Sequence, residues 1–313
     1  MISLPFIKMH GCGNDYVFID GMGWTANQTQ AFNFAAVARQ VSDRHRSIGG
    51  DGLVAMLASE RGDADARMRM FNADGSEGNL CGNALRCMAM WLHQSGHCGT
   101  RCRIAMHDRV IGAEILKSDP LQKRAIVRVD IGRPVILAPA ASGLQKYVRH
   151  AVLNDIQLHG QPLRTVEVSM GNPHAIILVD DLSKLALEVI GPQVEHHPAF
   201  PNRTNVEFMQ MTDTNRARVR VWERGSGETQ ACGSGACATG VMGWAAGLFS
   251  VLRPVEIQMP GGTLTVHMSV EEHVSLEGPA EESAIGLLAL PWPFENVAKV
   301  VKTFGDSGSI RKS

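Results

Sequence analysis

The sequence predicts a mixed α/β protein, richer in strand than in helix, built from two similar lobes. Three observations carry that reading. Many short segments alternate or run apolar between turn-forming residues, three longer stretches have helical period, and one chemical motif recurs in register in both halves. The 313 residues are 44% hydrophobic and 19% charged, enough apolar material for two compact domains and too much for a disordered chain.

Residues 1–10 alternate as a strand and lack the charged leader, apolar core and cleavage pattern of an export signal. Further strands are expected at 16–20, 125–130, 175–179, 216–221, 255–259 and 264–268, each bounded by Gly, Pro, Asn or Asp. Helices are expected at 32–42, 82–93 and 233–247, where apolar residues return at three- and four-residue spacing. Neither the 32 glycines nor the 14 prolines gather into a linker. Pattern and bulk fade only after Phe294, and 307–313 is expected to be disordered.

Composition excludes several classes of function. Thirty basic side chains against 31 acidic ones give a net charge of -1, and no long run of one sign marks a nucleic-acid binder. The apolar run at 284–290 is far shorter than the roughly 20 residues that cross a bilayer, so no membrane partner is expected. Seven cysteines, an odd number without secretory context, point to reduced thiols in the cytoplasm. Cys98 and Cys102 lie near His93 and His97, but a second Cys-x-x-Cys pair is missing and no metal is expected.

The recurring motif is Cys-Gly followed by Asn or Ser. Asn72-Ala-Asp-Gly-Ser-Glu77 precedes Cys81-Gly82-Asn83, and Glu223-Arg-Gly-Ser-Gly-Glu228 precedes Cys232-Gly233-Ser234. Glu77 and Glu228 each lie four residues before their cysteine, and each motif continues into an expected helix with Asn83 or Ser234 as its capping residue. Upstream, Gly13-Asn14 and Gly171-Asn172 each open a strand that closes with Asp20 or Asp180.

A thiol at a helix start sits beside unpaired backbone amides and the positive end of the helix dipole. That setting binds an anion and lowers the pKa of the thiol. Two such sites facing one cleft suit inversion at a carbon bearing hydrogen and carboxylate: one thiolate removes the proton and the other thiol returns one to the opposite face, with no cofactor. Cys87 and Cys237, inside apolar helices, read as core. Cys12, in the 11–13 loop, either packs or reacts.

At these residues the chain resembles the diaminopimelate epimerase family of cofactor-independent amino-acid epimerases. The resemblance rests on 8–15 (Lys-Met-His-Gly-Cys-Gly-Asn-Asp), 71–77, Cys81-Gly-Asn83, 170–174 (Met-Gly-Asn-Pro-His), Thr204-Asn205, 223–237, 260–262 and Gly278-Pro279. It implies two pseudo-symmetric lobes, each a barrel-like, mostly antiparallel sheet around a central helix, with the active site in the cleft between them. The implied lobes are 1–132 joined by a returning segment 278–290, and 133–277, followed by a tail 291–313.

The same resemblance implies epimerisation of LL-2,6-diaminopimelate to the meso form, towards lysine and cell-wall precursors, by a cytoplasmic homodimer acting on a small-molecule amino acid. It casts Cys81 and Cys232 as the catalytic pair and His174 and Glu223 as groups that tune them. Asn14, Gly82, Asn83, Gly233 and Ser234 would hold the reacting end. Asn72, Asn172, Asn205 and Arg224, with Glu223, would recognise the distal amino-acid group, Arg224 through its planar fork. A surface Glu223–Arg224 pair and a buried, satisfied His174 are the bland alternatives. The chain departs from the family pattern at Ala84-Leu85, at Gly52 and at 104–109. Other readings are a two-thiol racemase of another amino acid such as histidine, a silent amino-acid-binding module, and a redox sensor.

Overall fold

A computed structural model describes residues 2–78, 81–107, 109–251 and 253–290. The tail 291–313, including the stretch expected to be disordered, lies outside them. The described residues divide into two compact units, one made of 2–10, 15–125 and 280–290, the other of 11–14 and 126–279.

The first unit contains β1 (Ile2–Gly11), β2 (Asn14–Gly21), α1 (Ala26–Ala31), α2 (Phe34–Ser42), β3 (Gly52–Leu57), β4 (Ala66–Asn72), α3 (Gly82–Gln94), β5 (Arg101–Met106) and β6 (Arg109–Asp119). The start of β7 (Arg124–Gly132) and the end of β16 (Val274–Leu290) complete it. The strands run β1 to β7 in order, then β16, which returns to pair antiparallel with β1 from Ile2↔Leu290 to His10↔Glu281 and closes an eight-stranded barrel.

Side-chain alternation sorts the two faces of this sheet. Phe34, Val37, Ala38 and Val41 form one stripe of α2 and pack on Val17, Ile19, Leu53, Ala55, Leu57 and Phe71. The intervening Phe18, Val54 and Met56 point to the other face, and β3 is buried along its whole length. The helix α3 is buried on every side from Gly82 to Met90 and packs against β4, β5 and β6, as expected of a helix inside a barrel.

The second unit holds the rest of β7, then β8 (Val148–Leu158), β9 (Gln161–Ser169), β10 (Pro173–Leu178), α4 (Leu187–Glu195), β11 (Asn205–Asp213) and β12 (Arg216–Glu223). It continues with β13 (Gly227–Thr229), α5 (Gly233–Ala245), β14 (Val255–Met259), β15 (Gly262–Met268) and the start of β16. Its strand order is β16-β15-β14-β12-β11-β10-β9-β8, with β13 beside β12. Leu187 and Val194 of α4 pack with Val206 and Phe208 of β11, while α5 is buried among β9, β10, β11, β14 and β15.

The internal repeat is written in the pairing. From β2 to β6 successive pairs are parallel, antiparallel, parallel and antiparallel, and the series β10-β11-β12-β14-β15 repeats it. Every parallel pair needs a crossover, supplied in turn by α2, α3, α4 and α5. The expected mixed, two-lobed fold is the one observed.

Several details differ from expectation. The expected helix 32–42 begins at Phe34, because the Asn33 side chain accepts the Ala36 amide and stops the helix there; α1 and α4 were not foreseen. Cys98 and Cys102, expected as reduced thiols, form a disulfide: the 95–100 turn between α3 and β5 folds back and leaves their Cα atoms 5.7 Å apart. Nearby, His93 Nδ1 lies 3.0 Å from the Gly99 carbonyl and His97 stacks on Trp91.

Candidate active site

Both motif cysteines sit at the start of a buried helix, and each is itself the N-cap. Ala84 N–H points at Cys81 Sγ at 3.5 Å, and Gly235 N–H points at Cys232 Sγ at 3.4 Å. This corrects the assignment of Asn83 and Ser234 as caps: the extended backbone of each cysteine places its sulfur over the third helical amide, leaving the next polar residue for other bonds. The same geometry explains why Ala84-Leu85 leave the helix entry undisturbed.

In the first unit, Cys81 Sγ lies 3.4 Å from the Tyr16 hydroxyl, on which it donates. Gly82 opens α3, and Asn83 accepts at 2.8 Å from Arg86, an arginine with no exposed surface that sequence reasoning passed over. Its signal was a lone charge in an apolar helix, three residues after Asn83. Asn72 is exposed at the end of β4 and donates to Ser76 Oγ at 2.9 Å. Position 52 admits only glycine, since a Cβ would come 2.1 Å from the Phe71 carbonyl. The departure at 104–109 takes in the buried end of β5 and Arg109 at the start of β6, with Asp108 outside the described residues. The repeated glutamates are structural: Arg69 grips Glu77, and Arg220 grips Glu228, each through two bonds from eight residues upstream.

The second unit brings more groups together. Cys232 is 5% exposed, and its N–H points at Met259 Sδ. Its sulfur lies 3.6 Å from Ser234 Oγ, Ser234 Oγ lies 3.3 Å from Asn172 Nδ2, and Asn172 Oδ1 lies 3.1 Å from His174 Nε2. His174 Nδ1 in turn lies 2.7 Å from Glu207 Oε1, with both side chains fully buried. Glu207 was missed; its signal is the alternation of β11, where Asn205 and Glu207 share the face opposite Val206 and Phe208.

Glu223 accepts from Thr229 Oγ1 and interacts with Cys232. Burial pushes its carboxyl above the usual range, with the Glu207 charge adding to it. The Cys232 thiol is itself pushed well up, first by burial and then by the charges of Glu223 and Glu207, against bonds from Ser234 and Gly235 that pull it down. The expectation that a helix start lowers this thiol's pKa is therefore overturned: desolvation and two carboxylates outweigh the helix amides.

Asn205 donates to the Pro173 carbonyl at 3.0 Å and accepts the Arg224 amide at 2.9 Å, so it clamps the loop that follows β12 to the start of β10. The Arg224 side chain is exposed, bonds the Asn202 carbonyl at 3.1 Å, and makes no ion pair with Glu223. Buried Glu195 braces the same loop through Trp222 Nε1, the Gly225 amide and Arg203. Arg224 and Asn172 line a cavity of about 600 Å³ together with Arg149, Glu167, Arg203 and the 199–202 loop. Asn14 and Gly233 are buried at the starts of β2 and α5.

Cys87 and Cys237 are wholly buried in their helices, and Cys12 is buried in the β1–β2 turn at a φ of 56°. Among the described residues no group of three or more metal-ligating side chains occurs, and no helix is long and apolar enough to cross a membrane.

The fold is shared with a probable proline racemase from Agrobacterium radiobacter (TM-score 0.67, 14% identity, 94% of this chain and 95% of that one covered) and with a phenazine-biosynthesis protein of the PhzF family from Bacillus anthracis (0.66, 18%, 93% and 100%). A hydroxyproline epimerase from Agrobacterium vitis matches similarly (0.66, 14%, 95% and 96%).

The particular family follows from sequence. The diaminopimelate epimerase family model matches residues 6–137 and 166–282. Diaminopimelate epimerases from Acetivibrio thermocellus and Carboxydothermus hydrogenoformans are 40% and 41% identical, covering 88% and 89% of this chain and 95% and 97% of their own. The chain belongs to the diaminopimelate epimerase family.

Proposed function

We propose that the chain is an isomerase that converts LL-2,6-diaminopimelate to the meso form with Cys81 and Cys232 as acid and base and without a cofactor. The observation that carries this reading is the repeated geometry of the two thiols, each the N-cap of a buried helix with an amide aimed at its sulfur. A proton leaves the α-carbon for one sulfur and another arrives at the opposite face from the other sulfur. The substrate keeps its proton count and the two sulfurs exchange protonation states. Cys232, held as the thiol by burial and by Glu223 and Glu207, is the resting proton donor, and Cys81 is the acceptor in that direction.

Asn14, Gly82, Asn83, Gly233 and Ser234 hold the reacting end, where helix-terminal amides meet the carboxylate as negative charge spreads into it. Arg224, with Asn72, Asn172, Asn205 and Glu223, recognises the distal amino-acid group; the guanidinium on the cavity wall in the second unit supports that role. His174 and Glu223 tune the thiols. The working form in this reading is a cytoplasmic homodimer.

Proton NMR in heavy water tests the reading. LL-diaminopimelate should lose its α-proton signal and gain the meso isomer, while single-headed amino acids keep theirs. Cys81→Ala and Cys232→Ala should each abolish epimerisation, and full activity of either variant would sink the two-thiol mechanism. Exchange confined to a single-headed amino acid would retain the chemistry and reject the substrate.

A further inference from the structure

Glu195 is the last residue of α4, only 3% exposed, and the two-thiol reaction makes no use of it. Three donors from three segments converge on its two oxygens. Oε1 accepts the Gly225 amide at 3.0 Å and Arg203 Nη1 at 3.2 Å, and Oε2 accepts Trp222 Nε1 at 2.8 Å. Gly191, one helical turn earlier on the same face of α4, admits the indole: a Cβ there would come 2.7 Å from the Trp222 ring.

The turn that these bonds hold carries Arg224 at its corner. The Ser226 amide donates to the Glu223 carbonyl at 3.0 Å, and Gly225 has a φ of 79°, the left-handed backbone that a type II turn requires after its corner residue. The Asn205 side chain takes the Arg224 amide and Glu195 takes the Gly225 amide, so both peptides flanking the Arg224 α-carbon are fixed. The Arg224 side chain then bonds the Asn202 carbonyl on the cavity wall. Of the arginines that line this cavity, Arg149 is paired with Glu167 and Arg203 with Glu195, while Arg224 has no carboxylate partner among the described residues.

We propose that Glu195 is a positioning residue for Arg224: it fixes the 223–226 turn and engages Arg203, so that the Arg224 guanidinium alone meets the distal carboxylate of the substrate. The inference rests on the diaminopimelate reading and deepens it. A carboxylate is required because donors approach both oxygens. A glutamine of the same shape would set its NH2 against the indole N–H on one side or against the Gly225 amide and Arg203 on the other. The repeat shows the same brace in another chemistry. In the first unit α2 reaches the matching turn through Arg39 Nη1, which donates to the Asp74 carbonyl at 3.3 Å, and that turn has Ala73 at the offset from Cys81 that Arg224 has from Cys232.

Three variants of the full chain test the proposal: Glu195→Gln, Trp222→Phe and the two together. In Glu195→Gln the KM for LL-diaminopimelate should rise about tenfold with kcat within about threefold of wild type. Trp222→Phe removes the opposed donor. The double variant should therefore return KM to within about threefold of Trp222→Phe alone, because the amide oxygen can serve Gly225 and Arg203 while the NH2 meets no donor. An unchanged KM, a loss confined to kcat, or additive losses in the double variant overturns the proposal. So does a lower KM, which release of Arg203 onto the cavity would give.

The brace is also read without substrate. Hydrogen exchange followed by NMR should find the Gly225 amide protected in the wild type, although the residue is exposed, and exchanging about tenfold faster in Glu195→Gln. Equal rates overturn the proposal. If circular dichroism shows Glu195→Gln to be unfolded, the wild type decides: a protected Gly225 amide supports the brace, and exchange at the rate of an open turn overturns it. A wild type that leaves diaminopimelate unchanged while the Gly225 amide responds as expected would reject the function and leave the placement of Arg224 by Glu195 standing.

Discussion

Gly235→Ala is a substitution for which helix propensity and the observed packing predict opposite signs. Gly235 is the third residue of α5, where Ala is favoured by up to about 1 kcal/mol on propensity alone. The new methyl carbon would lie 2.4 Å from Glu207 Oε1 and 3.1 Å and 3.2 Å from its Cδ and Cγ. Carbon–oxygen contact needs about an ångström more, and Glu207 cannot retreat without disturbing the 2.7 Å bond to His174. Overpacking costs about 1–3 kcal/mol and a lost hydrogen bond to a charged group about 1.5–3 kcal/mol. After the propensity gain, a net destabilisation of about 1.5–5 kcal/mol remains. Urea denaturation followed by fluorescence and far-UV circular dichroism measures it. A variant as stable as the wild type would refute the close approach of Glu207 to the helix. The repeat provides the converse case: Ala84 holds the same offset from Cys81, where β3 carries Val54 rather than a carboxylate, so Ala84→Gly should cost only about 1 kcal/mol, the propensity difference.

Other consequences are simpler to state. Glu77→Gln and Glu228→Gln break surface pairs with Arg69 and Arg220 and should each cost under about 1 kcal/mol with turnover within about twofold of wild type; a hundredfold loss of kcat would show that the repeated glutamate has a chemical task. Burial raises the Glu223 carboxyl, so the stability it contributes is fully present below the usual carboxylate pKa and lost as pH rises through the shifted one. Glu223→Gln should therefore gain on the wild type in urea midpoint from pH 4 to pH 8, and a constant gap would contradict the shift. Asp15 behaves oppositely: burial pushes its carboxyl up, but bonds and charges from Arg44 and Lys8 more than offset this and leave it lowered. Its contribution is present above the usual carboxylate pKa and disappears as pH falls through the lowered one, so Asp15→Asn should flatten the acid side of the stability profile; an unaltered slope below pH 4 would count against it.

Much of the site was legible because its chemistry is local. A helix start is set by a few consecutive residues, so Cys81-Gly-Asn and Cys232-Gly-Ser could be read as thiols beside free amides without knowing the fold. The repeat also made two similar units the economical reading. Strands such as β3 escaped notice because both faces are covered: Leu53 to Leu57 is a continuous apolar run without the alternation that marks a half-exposed strand. Glu207, Arg86 and Glu195 escaped for another reason. A buried charge is explained by what it meets across the fold, and His174, Asn83 and the Trp222–Gly225 loop are brought to them by pairing and packing, not by spacing. The sign of the Cys232 shift belongs with these, since a motif reports the amides at a helix start but not the carboxylates that two other strands deliver.

The repeat keeps the thiol geometry and varies the groups around it. Where the second unit has His174, Glu207 and Glu223, the first has Tyr16, Val54 and Asn72 at corresponding places in β2, β3 and before the motif cysteine. The first unit therefore carries neither an imidazole nor a carboxylate at the three places where the second unit sets them around Cys232. In the proposed reaction two sulfurs exchange protonation states in one turnover, and such inequality would fix which one carries the proton at rest. Symmetrical surroundings would leave two thiols competing for the same state, whereas burial and then the charges of Glu223 and Glu207 push the Cys232 thiol up and the first unit has no carboxylate at the corresponding positions. The asymmetry has a direct consequence for Tyr16→Phe. It removes the hydroxyl at 3.4 Å from Cys81 and should alter the iodoacetamide-labelling profile of that cysteine alone across a pH series, by severalfold at most, since one neutral hydrogen bond from the sulfur is lost. A shift at Cys232 of equal size would mean that the two environments are not independent.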